Sequence, residues 1–360
     1  MSPPRIAFVV PGDLDSLTGG YGYDRRIIGG LRAAGWTVDL VSLGGGFPWP
    51  DAATRQHAAR LIAAIPEGCT VVADGLAFGA LPELAVQHAA RLRWVALVHH
   101  PLALECGLAA PQRQQLFDSE RRALASAQAV IVTSAATARA LADYGVAGHR
   151  IRVVMPGTAA APLSTGSAAA AADGGLSLLC VATLIPRKGH AALIDALAGL
   201  QDRAWTLHCV GSTTRDAATA AAVRAGITHH GLGRRVRLHG EVDAPTLQAF
   251  YARADVFVLP SLHEGYGMAL AEALAHGLPI VSSAAGAITD TVPANAGLLL
   301  PPGDGTALRA ALARMLDEPA LRQRLAAGAR AARTQLPGWA QAIEHFAAAL
   351  RAAALPPTLA

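Results

Sequence analysis

Along the chain, short apolar runs alternate with stretches whose apolar residues recur at helical spacing. Residues 5–10 (RIAFVV) predict a strand. A glycine-rich loop, PGDLDSLTGGYGYDRR, follows, and then a helix over about 25–34. Further strands are expected at 37–43, 70–73, 94–98, 129–134 and 150–155, with helices at 51–65, at about 111–127 and running to Tyr144. A second series opens with the strand LSLLCVATL, the loop IPRKGH and the helix AALIDALAGL. It continues through WTLHCVG, a helix over 215–226, RVRLHGEV and DVFVLP, and ends in helices over 306–316, 320–334 and 339–354. Strands that are apolar throughout belong in a parallel sheet covered on both faces, so helices must flank them. The steady alternation of strand and helix predicts an α/β architecture.

A chain of 360 residues exceeds one core of ordinary size, which points to two domains of about 150 to 180 residues each. Residues 156–175, PGTAAAPLSTGSAAAAADGG, break the pattern with Ala, Ser, Gly and Pro and read as a linker. The expected division is therefore a first domain at 1–155, the linker at 156–175, a second domain at 176–335, and a terminal helix at 336–360 after the Pro337-Gly-Trp339 break.

Candidate chemistry concentrates in residues 260–283, PSLHEGYGMALAEALAHGLPIVSS. A buried-type strand runs into a loop carrying Glu264, Gly265, Tyr266 and Gly267, after which strong helix formers begin at Met268 and stop at Gly277. Glycine at the helix start lets a ligand approach the backbone, and the unpaired N–H groups there, with the positive end of the helix dipole, suit a phosphate. Glu264 and Glu272 are separated by seven residues, so a carboxylate can meet each side of a bound phosphate group. At the end of the 94–98 strand stand His99 and His100, where doubly wound sheets carry ligand residues.

Composition narrows the picture. Hydrophobic residues make up 52% of the chain and charged ones 16%, yet no run approaches the roughly 18 apolar residues of a membrane span. The first apolar run is too short for a signal peptide, so a soluble, cytoplasmic protein with at most peripheral membrane contact is expected. Cys69, Cys106, Cys180 and Cys209 form no CxxC pair, which argues against a zinc site or a disulfide framework. Net charge of +4 mildly favours anionic partners, but with 5% aromatic residues and no basic block between them, nucleic acid is not expected. Of 30 basic residues only Lys188 is a lysine. A lysine that survives such a bias fits a place arginine fills less well, such as a compact counter-charge to phosphate. The Asp13-Leu-Asp15 pair imitates a metal-binding DxD but reads as a turn, and no metal is expected.

Glu264, Gly265, Tyr266, Gly267, Glu272, Ala273, Gly277 and Pro279 together resemble the signature of the retaining glycosyltransferases of family four, and the likeness covers nearly the whole chain. It implies the GT-B fold, two Rossmann-like doubly wound parallel-sheet domains facing across a cleft. It further implies a donor sugar, most simply UDP-linked and with no other cofactor, transferred with retention to an acceptor hydroxyl. On that resemblance Glu272 holds the ribose hydroxyls, Glu264 contacts the donor sugar, and the amides from Tyr266 to Met268 bind the diphosphate. Gly19 and Gly20 approach the donor phosphates and the acceptor, either His99 or His100 lies near the donor sugar, and the region of Gly240 and Glu241 reads the base. Lys188 matches the family lysine. One departure stands out: the family's Gly-Arg-Leu is Ala182-Thr183-Leu184 here, so a phosphate-binding arginine is missing and Arg187 is the nearest positive charge. Two other readings stay open, a nucleotide-sugar epimerase of similar fold and a non-catalytic nucleotide-binding protein.

Overall fold

The computed structural model describes residues 4–167 and 175–354. They fall into two compact units. One comprises the chain up to Gly157 together with the part from Pro337 onward, and the other is Thr158–Leu336.

The first unit holds six parallel strands, β1 (Arg5–Val10), β2 (Thr37–Ser42), β3 (Thr70–Asp74), β4 (Arg93–Val98), β5 (Ala129–Val132) and β6 (Ile151–Val153), in the order β2-β1-β3-β4-β5-β6. The second holds β7 (Leu176–Val181), β8 (Trp205–Val210), β9 (Val236–Gly240), β10 (Val256–Leu259), β11 (Ile280–Ser283) and β12 (Gly297–Leu300), also all parallel, in the order β12-β11-β10-β7-β8-β9. In each unit the chain starts on an inner strand and winds outward first to one edge of the sheet and then to the other. The winding direction reverses between β1 and β3 and between β7 and β10, and loops leaving the carboxyl ends of such strand pairs diverge to leave a crevice. The strands beside each reversal are apolar for a physical reason: Phe8, Val72, Val95, Leu97, Leu178, Phe257 and Val258 are fully buried, each contributing about 1.5–3 kcal/mol by leaving water.

Three differences from the sequence reading have local causes. The loop expected before residue 25 is already helical from Gly19, because the Thr18 side chain caps the Gly19–Ala33 helix by accepting from the Tyr21 amide, and burial of Tyr21 and Tyr23 outweighs the low helix propensity of the glycines. Residues 158–167 are not a free linker. The Ser164 hydroxyl donates to the carbonyls of Ala252 at 3.0 Å and Ala254 at 2.6 Å, which satisfies carbonyls left over at the end of the Ala244–Arg253 helix; residues 168–174 of that expected linker lie outside the described residues. The Ala244–Arg253 helix itself went unanticipated, although Asp243 accepts from the Thr246 amide at 2.9 Å and Pro245 stands in the first turn, both start signals.

The Trp339–Ala354 helix packs within the first unit. Phe346 stacks on Phe8 with ring centroids 6.5 Å apart and meets Tyr23 at a tilt with centroids 6.3 Å apart, and Ile343 fits against Gly30, where a Cβ would come within 2.2 Å of its Cδ1. In the second unit Gly328, inside the Pro319–Ala332 helix, has no room either, since a Cβ there would lie 1.9 Å from the Asn295 carbonyl oxygen. Alanine at an unconstrained helical glycine gains up to about 1 kcal/mol, whereas overpacking costs about 1–3 kcal/mol. Gly328→Ala is therefore expected to lower stability in urea denaturation; an unchanged or raised midpoint would show that the backbone yields freely there.

Candidate active site

In the second unit the loop after β7 and the loop after β10 meet at the reversal of strand order. The first loop is a short 3₁₀ turn, Pro186–Lys188, followed by Gly189 at φ +72° and then the His190–Ala198 helix. Only glycine serves at 189, since a Cβ would lie 2.4 Å from the Pro260 carbonyl oxygen of the other loop. The backbones are tied directly, the Leu262 amide donating to the Arg187 carbonyl at 2.7 Å. This closeness brings Lys188 Nζ to 2.6 Å from Glu264 Oε1, and the Ser261 hydroxyl donates to the same oxygen at 2.6 Å. Arg187 Nη1 donates to the His263 carbonyl at 2.7 Å and lies 3.7 Å from Glu264 Oε2. Glu264 is buried. Burial by itself pushes its carboxyl up, but the Lys188 and Arg187 charges and the hydrogen bonds from Lys188 and Ser261 outweigh it and hold the group below the ordinary glutamate range. A third loop closes the site, where Gly286 at φ +58° allows the Glu264 carbonyl within 2.3 Å of a would-be Cβ and the Ala287 amide donates to that carbonyl at 2.9 Å.

Gly267, at φ +88°, begins the Met268–Ala275 helix with no side-chain cap; the Leu270 amide donates to the Gly267 carbonyl at 2.9 Å, which leaves the Met268 and Ala269 N–H groups at the helix start to face an anion. One turn on, the buried Tyr251 hydroxyl donates to Glu272 Oε2 at 2.9 Å, which fixes that half-buried carboxylate from the protein side. Burial pushes the Tyr266 phenol up to about 12, so the ring anchors the loop as a neutral group and offers its backbone to a ligand. Beside these loops lies an apolar cavity of about 230 Å³ that touches Gly189, His190 and Leu262. Lys188, Glu264 and Glu272 do not line it.

In the first unit the equivalent ends of β3 and β4 and the start of the Gly19–Ala33 helix converge. His99 Nε2 lies 3.0 Å from Asp24 Oδ1 and 3.8 Å from Asp74 Oδ2, and the donor atoms of the three residues all lie within 4.8 Å of one another. Such a set can take a proton or a cation, and the direct contact of His99 with Asp24 makes it a hydrogen-bonded cluster. Both aspartates are buried. Burial first, then the Asp24 charge, push Asp74 up to about 7 against the pull of His99 and the Leu76 amide. Burial disfavours a charged imidazole, but the Asp24 charge and hydrogen bond, with Asp74, raise His99 above its ordinary value. The ring stands 3.5 Å from where a Cβ on Gly20 would be, an ordinary van der Waals contact. His100 is outside the cluster, with Nε2 4.0 Å from Glu105 Oε2.

Two family profiles match the two units, one described as Glycosyltransferase Family 4 over residues 25–160 and one described as Glycosyl transferases group 1 over residues 175–318. The chain belongs to the family-four glycosyltransferases. Among the relatives of this family-four chain is the D-inositol 3-phosphate glycosyltransferase of Thermomonospora curvata, 32% identical over 249 residues, which are 63% of this chain and 57% of that protein. The MMP alpha-(1->4)-mannosyltransferase of Mycolicibacterium hassiacum is 27% identical over 321 residues, 83% of this chain and 74% of that protein. The chain thus spans little more than half the length of the first of these relatives. Sucrose-phosphate synthase from Thermosynechococcus elongatus superposes with a TM-score of 0.82 at 23% identity, covering 97% of this chain and 98% of the other. HepE from Anabaena in complex with UDP-glucose gives 0.76 at 20%, covering 97% and 99%. With its two six-stranded parallel sheets, the family-four chain has the GT-B fold.

Of the residues expected at the donor site, Arg187, Lys188, Glu264, Gly265, Tyr266, Gly267, Met268 and Glu272 gather at the β7–β10 crevice of the second unit, while Gly19, Gly20 and His99 gather in the first. Asp13 accepts from the Asp15 amide at 2.9 Å through its side chain, within a turn. Sequence reading missed Asp24, Asp74, Ser261 and Tyr251. Asp24 was discoverable as the residue one helical turn after Gly20, and Asp74 as an acid closing an apolar strand.

The Lys188–Glu264 pair generates a prediction for the ligand-free protein. Removing one partner of a buried pair leaves an uncompensated charge at a cost of about 3–5 kcal/mol, and Arg187 nearby places Lys188→Met at the lower end. Because the folded-state carboxyl of Glu264 lies below its unfolded value, the pair's contribution is present above about pH 4.3 and is lost as pH falls through the folded value. Urea denaturation should therefore show a loss of about 3 kcal/mol at pH 7 that shrinks as Glu264 takes up a proton in acid. An equal loss at both pH values would mean that Arg187 alone keeps the carboxylate charged.

Proposed function

We propose that this family-four glycosyltransferase moves a hexosyl group from a nucleotide-sugar, most simply UDP-linked, to an acceptor hydroxyl with retention at the anomeric carbon. The donor is assigned to the second unit and the acceptor to the first. The observation that carries the reading is the charge at the β7–β10 crevice: two cations, Lys188 and Arg187, against one carboxylate, Glu264, beside an uncapped helix start. Cations beside a helix start without a side-chain cap attract a diphosphate. Names among the relatives and neighbours, an inositol-phosphate glycosyltransferase, a mannosyltransferase and a protein held in complex with UDP-glucose, support a sugar donor of this kind.

In the proposed reaction the bond from the anomeric carbon to the phosphate oxygen breaks while a bond to the acceptor oxygen forms on the same face, and the acceptor proton passes to the departing phosphate. Negative charge builds on the diphosphate, where Lys188, Arg187 and the amides at Gly267 and Met268 stabilise it. Arg187 lies inward on the loop of Glu264, which supports its standing in for the arginine absent at Thr183. No metal is needed in this scheme, since lysine and helix start supply the positive charge. Nothing in the site favours an epimerase or a non-catalytic nucleotide binder, and turnover distinguishes both: donor consumed only with an acceptor is expected, whereas isomerised donor or binding without turnover would sink the proposal.

Thermal shift against a panel of nucleotide-sugars identifies the donor. Glu272→Ala is then expected to weaken UDP at least about tenfold in calorimetry, since charge-assisted hydrogen bonds contribute about 1.5–3 kcal/mol each, and Tyr251→Phe to weaken it by a smaller factor. Glu264→Ala should lower turnover more than UDP affinity. Unchanged affinity in Glu272→Ala would remove the ribose assignment. EDTA should leave the rate intact; a loss restored by magnesium or manganese would return attention to Asp13 and Asp15.

A further inference from the structure

The first unit contains a charge arrangement that donor binding by the second does not use. Asp24 is completely buried on the Gly19–Ala33 helix, and its Oδ2 has no hydrogen-bond partner among the described residues. Its Oδ1 meets His99 Nε2 at 3.0 Å. Asp74, buried at the end of β3, lies 3.8 Å from the same nitrogen while its other oxygen accepts from the Leu76 amide at 2.7 Å. Tyr23 packs its ring edge-on to the imidazole, centroids 5.3 Å apart, and its hydroxyl is engaged by the Val154 carbonyl at 3.2 Å. The remaining elements against β4 add no charge to this surround. The Gly75–Phe78 helix and β5 carry no titratable residue, and Glu344, His345 and Arg351 of the Trp339–Ala354 helix are exposed.

Two buried carboxyl groups so close cannot both stay charged beside a neutral imidazole, because like charges out of water repel strongly. One proton on the carboxyl pair and one on the imidazole leave the cluster neutral. With Nε2 committed to Asp24, the other ring nitrogen, Nδ1, then carries a hydrogen that no protein group accepts among the described residues. We propose that Asp24 is a positioning residue for glycosyl transfer: it pins His99 through Nε2, keeps the ring as the imidazolium with Asp74 as its protonated neighbour, and so sets Nδ1–H as a fixed donor for a sugar hydroxyl. This inference rests on the reading of His99 as a group that contacts substrate.

The cluster and that reading fail separately. The His99 ring, assigned by its disappearance in His99→Gln, is followed by NMR through a pH titration of the full chain, in wild type and in Asp24→Asn. Asparagine keeps the shape at 24 and removes the charge. Asp74→Asn, which retains the cap on the Leu76 amide, is the second variant should Asp24→Asn fold poorly. In wild type the ring should titrate above an ordinary histidine. In Asp24→Asn the midpoint should fall by at least about one unit, since only the more distant Asp74 then opposes desolvation. The alkaline limb of the turnover profile, read as UDP release with the donor found by thermal shift, should move to lower pH with it, with kcat reduced and KM little changed. In Asp74→Asn the ring should remain charged, because the Asp24 carboxylate persists. A wild-type ring that titrates at or below the ordinary value, or an Asp24→Asn titration that does not move, overturns the cluster. A titration that moves while His99→Gln stays fully active overturns the placing of His99 at substrate.

Discussion

The second unit is organised by a single buried ion pair between two loops that are distant in sequence. Lys188 and Glu264 touch at 2.6 Å where little water reaches, so their attraction is strong, yet taking both from water is costly unless their remaining hydrogen-bonding capacity is met. The surrounding geometry meets it. Ser261 donates to the same carboxylate oxygen that Lys188 holds, Arg187 stands by the other, and backbone bonds from Leu262 to Arg187 and from Ala287 to Glu264 fix the loops before any side chain is placed. Glycines at 189 and 286 are consequences of this arrangement, since each lies where a neighbouring carbonyl occupies the space a Cβ would need.

The same topological device serves the first unit with a different charge solution. There one acid closes β3 and another sits on the Gly19–Ala33 helix, and the imidazole of His99 is tuned by these two buried carboxyl groups. A lysine–glutamate pair with an arginine beside it places two cations at one crevice. A carboxyl pair with an imidazole balances near neutrality and is suited to directing one hydrogen bond. The two sites differ in charge because the residues on the loops and helix starts around the strand ends differ, while the parallel, doubly wound sheets that carry them are alike.

Packing within the first unit also depends on the end of the chain. Trp339 and Phe346 close over Tyr23, whose ring in turn borders His99. A helix far along the sequence therefore helps hold the ring that orients the imidazole.

Taken alone, the sequence determined the alternation of strands and helices, the parallel class of the sheets, and a glycine-broken loop with a helix start around Glu264, Gly267 and Glu272, because apolar periodicity, glycines at a helix start and their spacing are local properties. It singled out Lys188 through the absence of every other lysine and His99 with His100 through their place at a strand end. Only the tertiary structure separated those two histidines, because the choice rests on Asp24 and Asp74, which the winding of β1, β3 and β4 brings to one imidazole from far apart in sequence. It likewise decided that the loop at Gly19 is helical, that residues 158–167 dress the end of a helix, and that Arg187 lies inward. In each case the deciding partner is a carbonyl, a buried ring or a charge supplied by another element, and no local pattern encodes which element that is.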